Sequence, residues 1–322
     1  MCLGAALLAL TGCLRPSVPL LAKGLSNPIL HWDAADPCVV KGDDGALYVY
    51  STSGCDRDGS LHLRVSHDRG ATWRSLGYVL SPDGRPSWGG GCDFWAPEVH
   101  RIGDRYVAYY SARDKDRRFC IGAAVADSPA GPFEDTGTPL VRDGRLGLID
   151  ATYFLDPKSG EPFLVWKEDA NDLRPKEPTR LMMARLSPDG TSLAGDAAEI
   201  MRNDQPWEGD LVEAPQLLHR GGWYYLFYSG NAFFDDRYGI GVARSKSPWG
   251  PYEKFAGNPI VSSDETFSGP GHPFLFDAGG GRWEMFYHAR LKSDGGPARM
   301  LMVSDLSWGD DGWPCVREAQ PR

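Results

Sequence analysis

Three carboxylates in this chain, Asp36, Asp150 and Glu213, stand at the head of short apolar runs, in "DAADPCVV", "GLIDATYFL" and "LVEAPQLLHRGG". Trp95 in "DFWAPEVHRI" and His272 in "SGPGHPFLF" hold the same place before two further runs. Taken singly, an acid there is a turn former or a strand cap. Three acids in one slot of a repeated unit are different if the fold gathers them, because crowded like charges cost stability. They persist where proton transfer or a metal needs them. Whether they are gathered depends on the elements that carry them.

Those elements form a repeat. Five aromatic segments, "ALYVYSTS", "RYVAYYSA", "EPFLVWKE", "WYYLFYSG" and "RWEMFYHA", fall into register at Tyr48, Tyr106, Phe163, Tyr224 and Trp283. Each follows an apolar run and a Gly- or Asp-rich turn of the kind that closes a hairpin. A third strand follows, in "LHLRVSHD", "CIGAAVAD", "RLMMARLS", "GIGVARSK" and "ARMLMVSD", and "GYVLS", "GTPLV" and "GNPIV" suggest a fourth, outer strand. Five sheets of about four antiparallel strands, with no amphipathic helix between them, predict an all-β, five-bladed β-propeller. In such a fold the first strand of each blade lines a central channel. The predicted slot residues Asp36, Trp95, Asp150, Glu213 and His272 then converge at one mouth of the funnel.

Composition agrees with many short strands: 322 residues with 39 Gly, 25 Pro, 11 Trp, 13 Tyr and 13 Phe. A formal charge of −9 argues against a nucleic-acid partner. Residues 1–22 read as an export signal and linker, with "CLGAALLALTGC" too short to span a bilayer and Cys13 as the candidate lipidation site and membrane attachment. Residues 23–322 read as a single propeller domain, expected to be a monomer. Cys38, Cys55, Cys92, Cys120 and Cys315 allow at most two disulfides, and their spacing suggests no zinc site.

The segments around Asp36, Asp150, Glu213 and His272, together with "DFWAPEVHRIGDRYVAYYSA", resemble glycoside hydrolase family 43 in order, over about Asn27 to Ala289. The resemblance implies a five-bladed propeller that hydrolyses arabinose- or xylose-containing plant carbohydrates with inversion. By it Asp36 is the general base, Glu213 the general acid and Asp150 the residue that positions the acid and tunes its pKa. His272 resembles a channel histidine that often stands near a metal ion, so a structural Ca²⁺ is an expectation; the chemistry itself needs no cofactor. An exo-acting arabinofuranosidase is the favoured reading. Xylosidase, galactosidase and endo-arabinanase activities use the same scaffold, and a non-catalytic sugar-binding propeller is the reading of a different class. Trp95, with Phe94 and Trp32, is the expected sugar platform, and Arg290 is expected to reach sugar hydroxyls. Glu208 and Asp210 are competing acids assigned to connecting segments, Asp33 is set aside because only Asp36 is followed by a proline, and Glu98 is placed just inside a channel strand.

Overall fold

The computed structural model describes residues 21–318 except Lys23 and Asp172, so Cys13 and the leader lie outside the described residues. Five four-stranded antiparallel sheets follow one another along the chain. Blade 1 is β1 (Cys38–Lys41), β2 (Leu47–Ser51), β3 (Ser60–Ser66) and β4 (Arg74–Leu80); blade 2 is β5 (Trp95–Ile102), β6 (Arg105–Arg113), β7 (Phe119–Ala126) and β8 (Glu134–Asp135). Blade 3 is β9 (Gly147–Leu155), β10 (Pro162–Asp169), β11 (Arg180–Arg185) and β12 (Ala198–Arg202). Blade 4 is β13 (Val212–Arg220), β14 (Trp223–Gly230), β15 (Gly239–Ser245) and β16 (Glu253–Lys254). Blade 5 is β17 (Phe267–Gly279), β18 (Arg282–Leu291), β19 (Met300–Trp308) and β20 (Pro314–Glu318). The first strands touch in the cyclic order β1, β5, β9, β13, β17 and back to β1, and so enclose the channel.

The aromatic second strands are buried on both faces because each blade packs between two others, which is why they read as continuous apolar runs. The core accordingly lies between blades. Val107 and Tyr109 of β6 pack with Leu164 and Trp166 of β10, and Phe227 of β14 packs with Met285 and Tyr287 of β18. The Gly221-Gly222 hairpin joins β13 to β14 with both glycines at positive φ, 58° and 75°, as a two-residue turn with the twist of the strands requires.

The outer edge departs from expectation in two blades. In blades 2 and 4 the fourth strand is only two residues long, at Glu134–Asp135 and Glu253–Lys254. The "GTPLV" and "GNPIV" segments contribute single bridges, Ile121 with Val141 and Ile240 with Val261. Pro139 and Pro259 have no N–H to extend those ladders. The ring closes through residues 27–34: Leu30 bridges Leu301 on β19, and the Asn27 carboxamide donates to the Val303 carbonyl and accepts its N–H, both at 2.9 Å.

Candidate active site

Each blade carries a left-handed non-glycine residue within or just before its channel strand. Asp36, Ala96, Asp150, Ala214 and His272 have φ of 54°, 46°, 58°, 51° and 56°, a left-handed conformation that non-glycine residues rarely adopt. In blades 2 to 5 the ladder shifts register at the same place, between Trp95 and Glu98, Ile149 and Thr152, Glu213 and Gln216, and Gly271 and Phe274. A bulge of this kind re-aims side chains out of the pleat. It also corrects the predicted slot: the equivalent residues of blades 2 and 4 are Ala96 and Ala214, so Trp95 and Glu213 stand one position earlier. Counting back from the aromatic strands missed this because the bulge absorbs a residue without changing the repeat length.

The strained N–H of each slot is tied to a neighbouring blade. Ala96 donates to Thr52 Oγ1 at 2.8 Å, Asp150 to Ser111 Oγ at 3.1 Å, His272 to Ser229 Oγ at 2.8 Å and Asp36 to His288 Nδ1 at 3.1 Å. Ser111, Ser229 and His288 all pair with the residue just before a slot, and in blade 3 that pairing position is Lys167. With no hydroxyl there, Ala214 donates instead to Asp150 Oδ2 at 3.1 Å. Asp150 thereby fixes the backbone next to Glu213.

Asp36, Asp150 and Glu213 line one cavity of ≈ 410 Å³ together with Thr52, Trp95, Arg113, Phe119, Ile149, Asp169, Asn171, Phe233, His272 and Arg299. Burial opposes the charge on Asp36, but Arg299 Nη1 at 3.0 Å, His272 Nδ1 at 3.4 Å and the Thr52 hydroxyl at 2.5 Å outweigh it. They hold the carboxyl well below the usual carboxylate range. His288 Nδ1 also lies 3.4 Å from Asp36 Oδ1. That nitrogen already accepts the Asp36 N–H, and burial and then Arg299 push the imidazole pKa well below its ordinary value, so His288 is a neutral support and not an ion-pair partner. Asp150 moves the other way: burial, reinforced by the charge of Glu213 against the relief from His272 and Lys167, pushes its pKa up to about 7.

Glu213 is held by two groups that the sequence reading did not single out. Its Oε2 accepts from Lys167 Nζ at 2.8 Å and its Oε1 from Tyr238 Oη at 2.7 Å. Lys167 is fully buried, also 3.3 Å from Asp169. Burial alone would lower its pKa, but Glu213, Asp169 and Asp150 outweigh that and raise it. A lone lysine in the otherwise aromatic "EPFLVWKE" strand was the available signal. Tyr238, in the "DDRYGI" turn, had none. Its ring fits because residue 271 is glycine: a Cβ there would stand 1.8 Å from Tyr238 Cε1.

The remaining expected site residues divide. Trp95 lines the cavity, its ring 4.0 Å from that of Phe119, over which the Arg113 guanidinium lies at 4.0 Å. Arg113 is anchored by Asp93 at 2.8 Å, beside the Cys55–Cys92 disulfide; Cys38, Cys120 and Cys315 are free thiols. Phe94 is not a platform. It is 1% exposed and packs on Tyr110, since consecutive side chains point to opposite sides. Trp32 is exposed but is not part of the cavity lining. Arg290 does not reach the cavity either: Nη1 donates to the Phe233 carbonyl at 2.5 Å and braces that loop, while Arg299 supplies the guanidinium at Asp36.

Glu98 sits two residues past its slot and accepts from Thr152, Gln216 and His100, forming a polar floor. Glu208 is buried against Tyr228 and Lys254 in a structural role, and Asp210 pairs with Lys176 on the surface. A calcium ion takes 6–8 oxygen ligands. Beside His272 the charge of the imidazole reaches two carboxylates, Asp36, already engaged by Arg299 and Thr52, and Asp150, and these two alone supply fewer oxygens than that.

Comparison with known proteins agrees with this geometry. The chain is 28% identical to a non-reducing end α-L-arabinofuranosidase of Bacteroides ovatus over 96% of its length, but spans only 56% of that protein. It is 26% identical to an extracellular endo-α-(1→5)-L-arabinanase of Bacillus subtilis, covering 90% of this chain and 88% of that one. The fold superposes on a thermostable family-43 glycoside hydrolase with a TM-score of 0.82 at 30% identity, over 92% of this chain and 97% of the other. The model of the glycosyl hydrolases family 43 matches residues 25–314, and the chain belongs to that family.

Proposed function

We propose that this protein is an inverting, exo-acting α-L-arabinofuranosidase that releases terminal residues from arabinose-containing plant polysaccharides or their oligosaccharides. The observation that carries the reading is the convergence of Asp36, Asp150 and Glu213, from three blades, on one cavity in different electrostatic settings. Asp36, kept ionised by Arg299, His272 and Thr52, accepts a proton from the attacking water. A carboxyl held so low is a weak base, which suits attack on an oxocarbenium-like centre that demands little of its nucleophile. Burial, reinforced by the charge of Glu213, keeps Asp150 protonated up to about pH 7. Glu213, which lines the same cavity, is the acid that protonates the leaving oxygen, and Asp150 restrains its backbone through the Ala214 N–H. The Trp95, Phe119 and Arg113 wall bounds the pocket, as recognition of a chain end requires. Similarity to the arabinofuranosidase supports the choice of sugar. The apolar leader supports export to the bacterial cell envelope, with Cys13 as lipid attachment point.

The test joins stereochemistry to leaving-group dependence. NMR of the first sugar released from an α-L-arabinofuranoside is expected to show the β-anomer, and a retained anomer excludes Asp36 as base. Glu213→Gln is expected to lose about 10²–10⁴-fold on an arabino-oligosaccharide yet stay near wild type on a dinitrophenyl arabinofuranoside, which departs without a proton. Asp36→Asn should fail on both. Equal losses on both substrates for Glu213→Gln would show that it is not the acid.

A further inference from the structure

Blades 1 and 2 are joined at the cavity by a short ladder of contacts between residues 52–55, which follow β2, and residues 92–96, which run into β5. The Ala96 N–H donates to Thr52 Oγ1 at 2.8 Å, the Ser53 N–H to the Phe94 carbonyl at 3.1 Å and the Asp93 N–H to the Gly54 carbonyl at 3.2 Å. The Cys55–Cys92 disulfide closes the far end. Thr52, three residues before Cys55, also donates to the base Asp36, and Trp95, three residues after Cys92, lines the cavity. The ladder thus links the base to the aromatic wall.

We propose that the ladder, its disulfide and the Asp93–Arg113 ion pair act as one clamp that fixes Trp95 and Phe119 around the reacting sugar, with Asp93 and Arg113 as positioning residues that set sugar affinity. It rests on the glycosidase reading of the cavity given above. Trp95 stands shortly after Gly89-Gly90-Gly91, a run with the widest backbone freedom of any residue type. Asp93 holds a φ of 58°, a conformation that persists only where the surroundings fix it.

The Asp93 carboxylate joins the parts. Its Oδ1 lies 3.9 Å from Cys55 Sγ, and its Oδ2 accepts from Arg113 Nε at 2.8 Å. Arg113 Nη1 donates to the Arg117 carbonyl at 2.7 Å, the guanidinium lies over the Phe119 ring at 4.0 Å, and that ring meets Trp95 at 4.0 Å. The Arg113 carbonyl accepts the Gly90 N–H at 2.7 Å, so one residue grips the glycine run through its backbone and Asp93 through its side chain. An ion pair in open solvent contributes little. Here the two side chains are 30% and 26% exposed and the cation is stacked on an aromatic ring, which ties the pair to the wall. Neither Asp93 nor either cysteine is part of the cavity lining. A wall fixed before the sugar arrives spares the ordering cost of binding, and its loosening belongs in KM rather than in kcat.

The test uses Cys55→Ser/Cys92→Ser, which removes the disulfide, Arg113→Met, which keeps a stem on Phe119 but releases Asp93, and the two combined. On a dinitrophenyl arabinofuranoside, KM is expected to rise about three- to tenfold in either variant, the range of one displaced aromatic contact, with kcat within about twofold of wild type. The combination should be no worse than the poorer of the two, because both release the same clamp. Amide hydrogen exchange over residues 89–95 is expected to quicken in both. KM rises that multiply in the combination overturn the clamp, as does exchange that quickens in the cysteine variant alone. Arg113→Met keeps the disulfide, so it reports even if the cysteine pair is needed to fold; wild-type KM and wild-type exchange in that variant overturn the proposal. Wild-type protein that turns over no arabinofuranoside overturns the glycosidase reading by itself, and the exchange result then decides the clamp.

Discussion

Lys167 carries the least expected charge in the site. At a position where other blades place Ser111, Ser229 or His288, it buries an ammonium against Glu213 and Asp169 with no exposure to solvent. Three carboxylates within reach of one lysine keep the group charged despite its burial. The lysine in turn counters the burial and repulsion that would otherwise hold the proton on Asp150 more tightly. The sign follows from Asp150, whose pKa is raised to about 7 with Lys167 among the groups that lower it. Lys167→Met is therefore expected to move the alkaline limb of the kcat/KM profile upward from near pH 7 by about one to two units. Activity at the optimum should fall as well, because Glu213 loses the contact that orients Oε2. A pH profile that keeps its alkaline limb in place would show that Lys167 only fills space.

At the scale of the element, the bulged start of the channel strand is the repeated device, and it works through backbone strain. A left-handed non-glycine residue costs about 1–2 kcal/mol, and the fold places one in every blade. The inter-blade hydrogen bonds at each slot hold that conformation. Where the slot is Asp36, Asp150 or His272, the kink turns a functional side chain into the channel. Where it is Ala96 or Ala214, the residue before it faces the cavity instead. Ala96 has no reacting group of its own, so it isolates the strain. Ala96→Gly is expected to stabilise the protein by about 0.5–1 kcal/mol after the entropy of the unfolded glycine is counted, and Ala96→Val to lose about 1–3 kcal/mol. Chemical denaturation midpoints of the two variants check this. Destabilisation by the glycine would mean that the φ of 46° is not under strain.

Across the whole molecule, ring closure and catalysis are coupled. Residues 27–34 complete blade 5 from the other end of the chain, and the Ala34 N–H reaches the Arg299 carbonyl at 2.8 Å while the Arg299 side chain reaches Asp36. The same contacts that close the propeller set the guanidinium that keeps the base ionised. Asn27→Ala, which leaves the Val303 N–H and carbonyl without their side-chain partner, is expected to cost about 1–3 kcal/mol. It should also lower kcat/KM, although Asn27 lies outside the cavity lining. Thermal unfolding and initial rates on the same preparation check both. A stability loss with unchanged rates would separate closure from the site.

The sequence by itself determined the repeat and its hairpins, because aromatic, β-branched and turn residues act locally and recur at a spacing that five packed sheets must share. It also marked Asp36, Asp150 and Glu213, since an acid at the head of an apolar run is visible without coordinates. The tertiary structure decided the rest. The bulge that moves the slot to Ala96 and Ala214 changes the register without changing the length of the repeat, so counting could not detect it. Phe94 and Trp95 are adjacent and chemically alike; only the direction of the strand sends one to the core and the other to the cavity. Arg290 lies near the end of β18 and Arg299 just before β19, and ring closure selects Arg299. Lys167 and His288 act through partners 46 and 252 residues away on neighbouring blades, and Tyr238 through one 25 residues away across its own blade, and such pairings are set by packing that no local pattern encodes.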